Sequence, residues 1–72
     1  MELRVESHMA ASGELEPDVI WFGNRRVAVL AIVDRWYGTH QRWWKLDTED
    51  GLYVLRRDDR SGEWELAAVT RR

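Results

Sequence analysis

Asp34-Arg35-Trp36 and Arg42-Trp43-Trp44-Lys45 place three of the chain's five tryptophans within nine residues, interleaved with basic side chains. The chemistry open to such a cluster is recognition rather than bond making. Indole faces stack on other rings and on guanidinium planes, while Arg and Lys pair with carboxylates or phosphates. Nucleophilic catalysis needs a nucleophile, a base and an orienting group within hydrogen-bond reach. There is no Cys, and His8 and His40 are the only imidazoles. Neither lies near a Ser or Thr motif, and His40, within Gly38-Thr39-His40-Gln41, reads as a solvated loop residue. Asp47, Glu49 and Asp50 share a turn without the EF-hand spacing, Asp58 and Asp59 sit in a hairpin loop, and no Gly-rich phosphate loop is present. These residues predict no catalytic site, no metal site and no cofactor.

The elements that must position the cluster belong to a chain of 72 residues, one domain at most. Without Cys there is neither a disulfide framework nor a thiolate metal site to staple it, so large side chains must supply the buried area. The net charge of −2 is uneven. Residues 1–18 hold five acids against Arg4, whereas residues 19–72 hold eight acids against ten bases, a net of +2. A mildly basic body permits contact with nucleic acid but falls short of a strongly basic footprint. No run approaches a membrane span and no secretory pattern opens the chain, so a cytoplasmic location and no membrane partner are expected.

Residues 1–16 read as a mobile acidic arm. Ala10-Ala11-Ser12-Gly13-Glu14 is small and polar, and His8-Met9 resembles the end of an expression leader with Met9 as a natural start. Leu3 and Val5 alternate with charges and are compatible with a short edge strand. Removing the arm is expected to leave stability nearly unchanged.

Residues 17–72 read as a single small β domain. Val19-Ile20-Trp21-Phe22 is a strand stopped by Gly23-Asn24. Arg26 to Trp36 is a long apolar run, read as a strand partly buried on both faces and bent by a bulge; a helix is the competing reading for Val27–Trp36. Arg42–Leu46, Leu52–Arg56 and Glu63–Val69 follow, separated by turns at 47–51 and 58–62. The last alternates in period two, with Trp64, Leu66 and Ala68 on one face, and makes Trp64 a core anchor. Such short strands and close turns pair antiparallel. The expected fold is all-β: a five-stranded antiparallel meander, a curled sheet or small barrel, with a mobile N-terminal arm.

Trp43 and Trp44 are adjacent, so a strand sends them to opposite faces. One can fill the core; the other must be exposed, covered by a loop or buried by a partner. Trp21, Trp36 and Trp64 read as core residues, because so small a domain needs their area. The candidate binding surface is Arg35, Trp36, Arg42, Trp43, Trp44, Lys45, Arg56 and Arg57. The alternative for its cations is cross-strand pairing with Asp34, Glu63 and Glu65.

The order of landmarks is itself distinctive. Trp21-x-Gly23, an arginine pair, Asp34-Arg35-Trp36, Trp43-Trp44, Gly51-Leu52-Tyr53-Val54-Leu55, Arg57-Asp58 and Ser61-Gly62-Glu63-Trp64 follow in sequence. Over residues 17–70 this resembles a small bacterial Trp-rich domain family of unknown function. Its members occur alone or at the C-terminus of ImuB-type Y-family DNA-polymerase-like proteins. The chain departs from the family pattern at Val27, where an aromatic is usual, and in a shorter segment between Trp44 and Gly51. The resemblance implies no catalytic residues. It implies a place in bacterial DNA-damage tolerance.

Three readings follow from the residues. The first is a non-catalytic interaction module docking on a protein partner. The second is weak binding of single-stranded nucleic acid, whose bases stack on rings while phosphates meet Arg. The third is self-association, as a homodimer, through an edge strand or an exposed Trp.

Overall fold

The computed structural model describes residues 2–71. Met1 and Arg72, the outer ends of the two segments assigned from sequence, lie outside the described residues. Six strands run as one antiparallel meander: β1 (Leu3–Met9), β2 (Leu15–Phe22), β3 (Arg25–Gly38), β4 (Gln41–Thr48), β5 (Gly51–Asp58) and β6 (Trp64–Arg71). The all-β antiparallel class is as expected, and Val27–Trp36 is strand rather than helix.

The strand count rises from five to six because residues 1–16 are not an arm. Leu3–Met9 pairs with β2 along its length, and β2 begins at Leu15 rather than Val19. The physical reason is the period-two alternation of Leu3 and Val5, which pack half-buried against the core while Arg4 and Glu6 face solvent. The small residues at 10–14 are a tight turn, with Gly13 at φ 88° donating its N–H to the Ala10 carbonyl at 2.9 Å.

Closure comes from β3, which serves two neighbours in succession. Arg25–Ala28 pairs with β2, and Val29–Gly38 pairs with β4. Register shifts leave Leu30 and Val33 with no opposite residue on β4. Such bulges bend a strand and raise its twist, which turns the sheet through a corner. The expected bend is thus present, and burial on both faces is confined to residues 27–29, since Leu30 is 61 % and Val33 54 % exposed. At the far edges β1 and β6 approach to within 8 Å between Cα atoms but do not pair, so the sheet is a curled half-barrel.

The core lines the concave face: Ile20, Val27, Trp44, Leu46, Tyr53 and Leu55 are buried. Each such aliphatic side chain contributes roughly 1.5–3 kcal/mol of burial. Among the described residues Thr48 is the buried polar one, and its hydroxyl donates to the Gly51 carbonyl at 2.8 Å and accepts the Asp50 N–H at 3.1 Å. β6 departs from the expected clean alternation. A shift opposite Val54/Leu55 skips Ala67, so Leu66 and Ala68 fall on different faces. Leu66 lies on the concave side yet remains 38 % exposed, because β1 does not close over it.

Candidate interaction surface

The cluster of tryptophans and arginines occupies the β3–β4 hairpin and its neighbour β5. The Thr39-His40 turn places His40 at φ 66°, a region few non-glycine residues adopt. Its carbonyl accepts the Asp59 N–H at 2.8 Å, tying this turn to the β5–β6 loop. Registers then decide which side chains share a face, because directly opposed residues point the same way.

On the convex face one row runs Trp36–Trp43–Arg56–Glu65 across β3 to β6. The Trp36 and Trp43 rings lie 6.4 Å apart and 7° from parallel. Trp36 is 41 % exposed, which corrects its assignment to the core; Trp43 is half-buried. Gly38 makes room for the stack, since a Cβ there would fall 2.9 Å from the Trp43 ring. Lys45 stands opposite Asp34 in the adjacent row, and Arg56 donates to Glu65. This is a flat aromatic shelf bordered by charges of both signs.

The concave face carries the other half of the predicted set. Tyr37–Arg42–Arg57–Trp64 forms the row nearest the rim, and Arg35–Trp44–Leu55–Leu66 the next. Trp44 is 2 % exposed and meets Trp64 at 5.1 Å between centroids. Trp64 itself is only half-buried, so the core anchor of the pair is Trp44. Arg42 lies 5.6 Å over Trp44 and Arg57 5.8 Å over Trp64. Both guanidiniums bond Asp59, and Arg35 bonds Glu16 at 2.7 Å.

The eight residues predicted as one surface are thus two sets of four on opposite faces. Trp36, Trp43, Lys45 and Arg56 are outside; Arg35, Arg42, Trp44 and Arg57 are inside. Trp21 belongs to neither set. It lies half-buried, with its indole N–H on Glu6 and Arg4 at 5.1 Å from its ring. Of the cross-strand ion pairs weighed from sequence, Arg56–Glu65 forms. Arg35 instead pairs with Glu16, from the segment read as an arm.

Two groups at this rim have shifted pKa values. Hydrogen bonding to Glu14 raises that of the Tyr37 phenol, and the N–H groups of Arg60 and Ser61 lower that of Asp58. At the other rim Asp50 raises that of Arg25 through a 2.8 Å ion pair, and it accepts the Tyr53 hydroxyl at 2.5 Å. Asp50 is therefore part of a structural bridge between β3 and β5. Among the described residues no three of His, Asp and Glu gather as metal ligands, and no helix is long and apolar enough to cross a membrane.

Sequence reasoning missed Gly38, Tyr37, Asp59 and Glu16 as members of these faces. Gly38 carried a usable signal, because a glycine two residues from a strand Trp often marks close packing. The two acids carried none, since their partners are distant in sequence. No family model, curated protein or solved structure matches the chain.

Proposed function

We propose that this domain is a non-catalytic docking module that binds a protein partner through the Trp36–Trp43 shelf. The observation that carries the reading is the near-parallel ring pair on the convex face, held open to solvent by Gly38 and by the strand register. A stacked pair is rigid, so little side-chain entropy is lost when a partner covers it, and Trp is the residue most enriched at binding hot spots.

The ion pairs favour a protein over nucleic acid. Arg35 and Arg56 each hold a carboxylate of this chain, Arg42 and Arg57 share one, and Lys45 stands opposite Asp34. Nucleic-acid binding draws on counterions released into solution when unpaired protein cations neutralise phosphates, and such drive is weak here. The resemblance over residues 17–70 points to a partner within bacterial DNA-damage tolerance, an ImuB-type polymerase-like protein.

The test is titration of the domain with the polymerase-like protein of the same genome, read by Trp fluorescence. Trp36→Ala is expected to weaken binding by about 2 kcal/mol or more, with little salt dependence. Unchanged affinity in Trp36→Ala overturns the shelf. Tighter binding of oligothymidylate with steep salt dependence favours the nucleic-acid reading, and concentration-dependent mass favours self-association through β1 or β6.

A further inference from the structure

Arg42 and Arg57 stand directly opposite each other on β4 and β5. Like charges at such a position repel. Here one carboxylate oxygen answers both: Asp59 Oδ1 accepts from Arg42 Nε at 3.0 Å and from Arg57 Nη1 at 3.2 Å, with Arg42 Nη2 also 3.0 Å away. Two positive charges are set against one. Stacking favours this placement of both guanidiniums, because Arg42 lies over Trp44 and Arg57 over Trp64, and those two rings pack on each other.

Three other acids at this rim are engaged elsewhere, and the Glu63 carboxylate, in the same loop, makes no bond to either arginine. Glu14 meets Tyr37, Glu16 meets Arg35, and Asp58 accepts the N–H groups of Arg60 and Ser61. Among the described residues Asp59 alone bonds the pair, and it does so from a loop, with its side chain 38 % exposed. Each guanidinium has five N–H donors, so the three contacts to one oxygen leave most of them unclaimed.

We infer that Arg42 and Arg57 form an anion seat with Asp59 as its built-in occupant, and that its external ligand is a carboxylate on an acidic peptide segment of a partner. The seat already holds a carboxylate, which is the geometry a guanidinium edge accepts side-on. Its surplus of one charge suits one acid rather than a run of phosphates. An incoming acid either adds to the open donors or displaces Asp59 into solvent. The seat is on the opposite face of the hairpin from the Trp36–Trp43 shelf and does not depend on it.

The experiment is calorimetric titration of the whole chain with a tetraglutamate peptide at fixed ionic strength, folding being checked by amide spectra. Asp59→Asn is expected to tighten binding about five- to tenfold, the scale of a charge-assisted contact regained. Glu2→Gln, which makes the same charge change at the far rim, is expected to leave affinity at the wild-type level. Arg57→Lys in the Asp59→Asn background keeps the charge but loses the planar fork, and is expected to remove the gain. Trp36→Ala is expected to leave the titration unaltered, which separates this seat from the shelf. No gain in Asp59→Asn, or an equal gain in Glu2→Gln, overturns the inference. A larger gain for oligothymidylate than for the peptide also overturns it, in favour of a phosphate seat.

Discussion

At the rim holding the β2–β3 and β4–β5 turns, the interior is finished with small, mutually satisfied groups. Thr48 bonds Gly51 and Asp50; Asp50 bonds Tyr53 and Arg25; and Ile20, Val27 and Leu46 fill the space behind them. The opposite rim is layered from indole and guanidinium: Trp44, Trp64, Arg42 and Arg57 inside, Trp36 and Trp43 outside. The first rim seals a core. The second extends past it, and from Val33 to His40 every residue is exposed. A chain of this size has little apolar area to spare, yet at one end it leaves Trp36 and Tyr37 exposed and Trp43 only half-buried, which is the area a partner would cover under the proposed reading.

The adjacent tryptophans give the sharpest way to break that contrast. Trp44→Ala removes a ring that is 2 % exposed and should cost about 3–5 kcal/mol, close to the whole stability of a domain this small. Trp43→Ala removes a half-buried ring stacked on a more exposed one and should cost about 1–2 kcal/mol. Chemical denaturation of both variants decides. Equal losses would mean that the convex shelf is as structural as the core.

The next effect concerns the segment read from sequence as an arm. Deleting residues 1–9 strips β1 from β2 and uncovers Ile20, which Leu3 and Val5 help to bury. The expected loss is about 2 kcal/mol, a fall in Tm of roughly 8–16 °C. An unchanged Tm would restore the mobile-arm reading and leave a five-stranded domain.

The sequence made some levels of this structure legible and hid others. Strands β2 to β6 were visible through β-branched runs and Gly-containing turns, since these signals act between neighbours. β1 was only partly legible: Leu3 and Val5 pointed to a short edge strand, but with Met9 exposed they are the two covered apolar residues among charges, too few to set against the arm reading. The opposite facing of Trp43 and Trp44 follows from period two alone. Which of them is buried does not, because it depends on Leu55 and Trp64 lying across the sheet from Trp44. The candidate set failed as a single surface for the same geometric reason. Arg35 and Trp36, like Arg56 and Arg57, are adjacent, and adjacency in a strand guarantees separation. β6 misled most, because skipping one residue at Ala67 undid the alternation that made Leu66 and Ala68 seem to be partners.

Gly38 sharpens the comparison at smaller cost. A Cβ added there would meet the Trp43 ring at 2.9 Å, so Gly38→Ala must push the ring off Trp36. The expected destabilisation is about 1 kcal/mol, with a red-shifted fluorescence maximum as the shelf opens to water. A variant of unaltered fluorescence would show that the stack does not need the gap, and that the shelf is looser than its geometry suggests.

The smallest effect concerns how the second rim holds Asp59 in place. Asp58 Oδ1 accepts the N–H of Arg60 at 2.8 Å and of Ser61 at 3.3 Å, which lowers its pKa and fixes the loop beside Asp59. A carboxyl whose folded pKa lies below its unfolded value contributes stability that is fully present above the unfolded value. That contribution is lost as pH falls through the folded one. The window therefore opens near pH 4, the ordinary range for Asp, and extends downward. Asp58→Asn keeps an acceptor oxygen for the turn but has no charge to titrate. Thermal melts from pH 7 to pH 2 should show the variant close to wild type at neutrality and with a shallower acid limb. If the two limbs are parallel, the charge on Asp58 does not stabilise the loop, and the placement of Asp59 under Arg42 and Arg57 must come from the His40 carbonyl instead.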